Sequence, residues 1–211
     1  MAKINLARRA EIGRDKRTKT RAQIVEAGLV LLAERAPEAL TIDAIVETAG
    51  VAKGTFYYHF QSIEELVAAV GAKLAESFDE LLTPSRLDET DPIERIAFAF
   101  TKFLEKALDE PVWARLVVRS VEAPGAIGRI RENLKADLAA AMAQGRLALH
   151  DVELAADIVI GILVQVIRGS LERRTSPELT RQALDAVLRA LGVTQPRNRK
   201  SSSVTKIATF E

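Results

Sequence analysis

The segment Thr41–Phe60, TIDAIVETAGVAKGTFYYHF, constrains this chain more than any other stretch. Thr41 is a good N-cap for a short helix carrying Ile42, Ile45, Val46 and Ala49 at helical spacing. Ala49-Gly50-Val51 then makes a tight turn, because glycine tolerates the left-handed backbone that ends a helix. A second short helix follows over about Ala52–Phe60. On a wheel of about 100° per residue, Phe56 and Phe60 point the same way and must face inward, with Val51 anchoring the start. Gly54, Thr55 and Tyr58 lie farthest from that direction, Lys53 opens the helix, and Tyr57 and His59 flank its outer face. Two helices joined by a glycine turn have the geometry that lays the second into a DNA major groove. The outer face carries a cation, a hydroxyl, two phenols and an imidazole, which suit phosphates and base edges. A hairpin that merely packs would not collect such groups on its outside, and two adjacent exposed tyrosines are costly unless something binds them.

Charge points the same way. Met1 to Gln23 holds eight basic residues against Glu11 and Asp15, although the whole chain has a net charge of only +1. A basic front end on a near-neutral body suggests a local polyanion-binding surface. The other reading of those residues is a solvated, disordered leader.

The rest of the chain reads as helix. Aromatics are few, Ala, Leu, Glu and Arg abundant, and neither a strand pattern nor a repeat is visible. A first helix is expected from about Thr18 to Arg35, with Ile24, Ala27, Gly28, Leu31 and Leu32 as its apolar stripe and Pro37 as its stop. Ser62 and Glu65 form a capping box for a helix from Ile63 to about Leu82, and the polar Thr83–Asp91 reads as a linker. Asp91-Pro92, Pro111, Pro124-Gly125, Asp151 and Ser176-Pro177 punctuate five further helices. The expectation is an all-α fold of about nine helices. Its divisions are a disordered leader (1–17), a helix-turn-helix domain (18–62), a connecting helix (63–82), a helical body (83–192) and a disordered tail (193–211).

The run Thr41-Ile-Asp-Ala-Ile, then Ala49-Gly50-Val51-Ala52-Lys53-Gly54-Thr55-Phe56-Tyr57-Tyr58-His59-Phe60, then Glu64-Glu65-Leu66, resembles the N-terminal domain of the TetR/AcrR family of regulators. The resemblance covers about residues 18 to 70. It implies a ligand-responsive repressor that binds a double-stranded operator as a homodimer through this domain, with C-terminal helices that dimerise and enclose an effector pocket. Carried over residue by residue, Thr41, Tyr57 and His59 would contact phosphates, and Lys53, Gly54, Thr55 and Tyr58 would face the groove. Two positions depart from the family pattern. Ala36-Pro37 stands where glycine commonly follows the first helix, and Ile63 stands where lysine commonly supplies a phosphate contact. Arg17, Lys19 and Arg21 are candidates to replace that contact.

In the body, Ile158, Gly161, Ile162, Gln165, Val166 and Gly169, with Leu184, Val187, Leu188 and Leu191, are the candidate dimer faces. Phe100, Phe103, Trp113, Leu116 and Met142, with Arg119 and Gln165 as polar anchors, are candidates to line a pocket for a small apolar or amphipathic effector. For each of these, ordinary core packing is the competing reading.

No cofactor, metal site or enzyme is expected. The chain has no cysteine and two histidines, and lacks the H-E-x-x-H, G-x-S-x-G, Walker A and G-x-G-x-x-G patterns. The apolar run Ile158–Ile167 is broken by Gln165 and is about half the length of a membrane span. A soluble cytoplasmic protein associated with the nucleoid is therefore expected. Rival readings are an architectural DNA-binding protein without effector, a transcriptional activator, or a helical enzyme or lipid carrier with a vestigial head.

Overall fold

The computed structural model describes residues 2–88, 90–173, 176 and 178–193. Among them are nine α-helices and one short 3-10 turn, with no strand. The helices are α1 (Ala2–Glu34), α2 (Ile42–Ala49), α3 (Lys53–His59), α4 (Ile63–Asp88), α5 (Pro92–Asp109), α6 (Pro111–Ser120), α7 (Gly128–Ala143), α8 (Val152–Glu172) and α9 (Leu179–Ala190).

Local chemistry sets most of the boundaries. Thr41 Oγ1 accepts a hydrogen bond from the Ala44 amide at 3.2 Å, so α2 is capped as its sequence suggests. Gly50 closes that helix at φ 64°, the left-handed region in which side chains are strained. Glu65 N–H donates to Ser62 Oγ, while the Glu65 carboxylate takes the Gln61 amide rather than that of Ser62, a shifted version of the capping box. Asp91 and Asp151 each accept two backbone N–H groups at the starts of α5 and α8. The turn after α1 is a 3-10 segment, Pro37–Ala39, entered through Ala36 at ψ 153°, as a residue before proline must be. It needs no glycine.

Two helices are longer than their patterns indicate. The expected disordered leader is helical from Ala2, and α4 continues through position 84 to Asp88, occupying most of the expected linker. Residues 8–19 are exposed, so this part of α1 buries no apolar stripe from which it could be read. It rests on Ala, Arg, Lys and Glu, good helix formers, with opposite charges at the spacing that supports exposed helices. Conversely, α7 stops at Ala143, short of Leu147, and α9 starts at Leu179, after Ser176 Oγ has accepted the Glu178 amide. The expected disordered tail lies, from residue 194 on, outside the described residues.

The helices form two packed units. In the head, Ile24, Leu31 and Leu32 of α1 pack with Ile45, Phe56, Phe60 and, from α4, Leu66, Val67 and Val70. Gly28 lets α1 and α4 close up: a Cβ there would lie 3.0 Å from a Val70 methyl. In the body, Ile93, Ile96, Phe100, Phe103 and Leu104 of α5 pack with Trp113 and Val117, Leu138, Val159, Ile167 and Val187. Two elements join the units. Helix α4 begins in the head and ends in the body, and α6 sends Leu116 into the head core.

Candidate nucleic-acid interface and effector cavity

Helix α3 is held by its two phenylalanines. Phe56 and Phe60, one turn apart, are 0% and 1% exposed, and their rings sit 5.8 Å from each other. Fixing these two side chains fixes what faces out. Tyr57 and Tyr58 are 53% and 65% exposed, Lys53 and Gly54 are exposed, and Thr55 and His59 are partly so. A Cβ at Gly54 would meet nothing within 4 Å, so the backbone there is open to close approach. Thr41 stands exposed at the start of α2. The seven residues singled out from the sequence thus lie on α3 or at the adjoining helix end, on accessible surface.

Three neighbours of this surface have no signal in periodicity. Asp43 accepts a hydrogen bond from Lys53 Nζ at 2.8 Å, which raises the lysine pKa above its ordinary value and ties α3 to the first turn of α2. The Arg17 guanidinium lies 4.9 Å above the Tyr58 ring, and that of Arg21 lies 4.8 Å from the Phe60 ring. Partial burial, then the two nearby guanidinium charges, hold the His59 pKa below its ordinary value of 6.5, so the imidazole is neutral at physiological pH.

The body holds a partly open cavity of about 70 Å³. Its walls come from α4 (Phe78, Asp79), α5 (Ile96, Ala99, Phe100, Phe103), α7 (Ile130, Asn133, Leu134, Asp137) and α8 (Val159, Ile160, Leu163). The wall is mostly apolar, with polar groups at one side. Asp79 takes the Asn133 amide at 2.9 Å and an Arg129 contact at 3.1 Å, and the nearly buried Asp137 takes Arg95 Nε at 2.8 Å.

Of the seven candidate pocket residues, Phe100 and Phe103 line this cavity. Trp113 stands behind it, 4.8 Å from Phe103 between ring centres, in a cluster that includes Phe78. Leu116 belongs to the head core, the Arg119 guanidinium donates to the Leu32 carbonyl at the end of α1, and Met142 packs at the edge of the body core. Gln165 is exposed on α8, beside a groove of about 420 Å³ formed with Ile162, Val166, Gly169 and Leu179. The other lining residues were not among the candidates, notably Phe78, Asp79, Asn133 and Asp137. Phe78 follows the apolar stripe of α4 and was discoverable, whereas polar positions on α7 look like any solvated helix face.

Among the described residues, α8 is the one helix long and apolar enough to cross a membrane by length and composition. Ala155, Ala156, Val159 and Ile167 face the core, but only 22% of its most apolar stretch is buried. On the opposite side Leu154 is 48% exposed, and Gly161 and Gln165 are exposed as well.

Comparison with known proteins agrees with both units. Residues 24–70 match the family described as bacterial regulatory proteins, tetR family, and residues 91–201 match a tetracyclin repressor-like C-terminal domain. The HTH-type transcriptional regulator TtgR of Pseudomonas putida is 41% identical over 75 residues, 35% of this chain and 36% of TtgR, so that match spans about a third of the relative. The HTH-type transcriptional repressor KstR of Mycolicibacterium smegmatis is 24% identical over 197 residues, 90% of this chain and 96% of KstR. Among solved structures, RolR in complex with resorcinol superimposes with a TM-score of 0.69 at 27% identity, covering 85% of this chain and 91% of RolR. The regulator FadR from Bacillus subtilis, in complex with stearoyl-CoA, shares the fold with a TM-score of 0.61 at 20% identity, covering 81% and 96%. With its C-terminal match alone spanning more than half the sequence, the chain belongs to the TetR family of transcriptional regulators.

Proposed function

We propose that the chain works as an effector-responsive, homodimeric repressor in the cytoplasm, bound to a pseudo-palindromic operator on the nucleoid. One observation carries the DNA half of this reading: the outward face of α3 is made of Lys53, Gly54, Thr55, Tyr57, Tyr58 and His59 while Phe56 and Phe60 are locked behind it. Two copies would set α3 into successive major grooves, about 34–36 Å apart. The partly exposed apolar side of α8, with α9 beside it, is the natural seat for the second copy.

The sensing half rests on the cavity. At about 70 Å³ it is smaller than the roughly 150 Å³ site that takes up benzene in an engineered apolar core. An effector seated fully between these helices would therefore push its walls apart. One wall is α4, whose upstream end (Leu66, Val67, Val70) is packed in the head, so displacement of Phe78 and Asp79 is passed to the recognition helices. A hundredfold loss of operator affinity requires only about 2.7 kcal/mol of such coupling. The mostly apolar wall favours a small apolar or amphipathic effector, and the resorcinol bound by RolR has that character.

The test is selection of duplexes from a random pool by the full-length protein, followed by release measurements with small aromatic compounds. A shared palindrome lost by Thr55→Ala with Tyr58→Ala is expected. Uniform affinity for unrelated sequences would overturn the reading in favour of an architectural protein.

A further inference from the structure

Helix α1 extends about 33 Å upstream of the buried Ile24, at 1.5 Å per residue. The direction of its charges along this stretch is informative. Downstream, the face bearing Ile24, Gly28, Leu31 and Leu32 packs into the head. Taking about 100° per residue, Arg14, Arg17 and Arg21 fall within about 60° of that same direction. The inward stripe thus changes from apolar to arginine where it runs off the head core and passes alongside α3. The stacking of Arg17 over Tyr58 at 4.9 Å shows that this row of arginines is continuous with the outer surface of the recognition helix. Glu11 and Asp15 lie more than about 110° away on the same wheel, as does Lys19, which leaves the row free of acid.

We propose that the upstream half of α1 is a second DNA-contacting element, in which Arg14 and Arg17 hold phosphates of the duplex flanking each half-site. The proposal rests on the reading of α3 as the groove-facing helix. Charge complementarity and continuity with that surface specify the occupant. A backbone running past Tyr58 meets Arg17 next and Arg14 one turn farther on, whereas Arg21 is already engaged over Phe60 beside His59. Guanidinium groups reaching from an exposed helix pair with phosphate oxygens, adding affinity and register without reading sequence.

The experiment uses a duplex selected by the wild-type full chain, prepared in two forms: trimmed to the shared palindrome, or carrying roughly ten further base pairs, one helical turn, on each side. Affinity is followed by fluorescence anisotropy against KCl concentration. Four additional phosphate contacts per dimer steepen the log–log salt slope of the wild type on the long duplex by up to about 3.6. Arg14→Gln with Arg17→Gln should abolish this increment, and Arg14→Gln alone should remove about half of it while keeping affinity for the trimmed duplex. Arg9→Gln with Lys16→Gln, which removes equal charge from another side of the helix, should retain it. An unchanged increment in the first variant, or equal loss in both, overturns the proposal and leaves the DNA-binding reading standing. If the wild type selects no shared sequence, the underlying reading fails first, so the two failures are distinguishable.

Discussion

The head and the body are built alike, from amphipathic helices around one apolar core each, yet they present their chemistry in opposite ways. The head buries its anchors and displays its polar groups on the short helix α3. The body displays no comparable polar face and gathers its cavity between helices. A surface site on one helix is fixed once two buried residues are known, since Phe56 and Phe60 determine where Tyr58 points. A cavity is the space that four helices leave unfilled, and no single helix carries a record of it.

The largest expected effect tests the anchors. Phe56→Ala should cost about 3–5 kcal/mol, seen as a large drop in the denaturation midpoint with loss of DNA binding. If stability holds and binding alone is lost, the anchor–display distinction is wrong. Next comes the display. Thr55→Ala with Tyr58→Ala should leave the melting curve in place and weaken binding to the selected duplex by about 2–4 kcal/mol, measured by anisotropy. Smaller still, Ala99→Leu fills part of the cavity at about 1–3 kcal/mol of overpacking. It should abolish the response to small aromatic compounds while DNA affinity persists, and a retained response would place the sensing site elsewhere.

The smallest effect concerns pH. Because burial and the charges of Arg17 and Arg21 depress the His59 pKa, the folded head takes up its proton less readily than the unfolded chain. The contribution of neutral His59 is fully present above pH 6.5 and is lost as pH falls from there through the depressed value. A DNA phosphate beside the ring would draw the pKa back up, so operator affinity should rise on acidification over the same window. His59→Gln should flatten both trends in melting and binding titrations.

These contrasts also explain what the sequence disclosed. The helix-turn-helix was legible because each step has a local cause: Thr41 as cap, Gly50 at positive φ, and the four-residue spacing of the buried rings. The upstream part of α1 was not, because periodicity reveals only helices that bury a stripe and this segment is exposed. Nor was the extension of α4, since Pro84 in a polar stretch reads as a stop. In the body, Phe100 and Phe103 emerged from the stripe of α5, but Asp79, Asn133 and Asp137 border the cavity only because α4 and α7 meet there. Leu116 and Arg119 looked like pocket residues, whereas both reach the head, a pairing that only tertiary structure reveals.

Helix α6 has a practical consequence for anyone wishing to recombine these modules. Leu116 plugs the head core and Arg119 holds the last turn of α1 through the Leu32 carbonyl, although both belong to α6, well after α4 in the sequence. An excised head would therefore carry an open notch and lose the clamp on the last turn of α1. A chimera that grafts this head onto a foreign sensor must transplant residues 111–120 with it, or repaint the recipient's equivalent helix to fit.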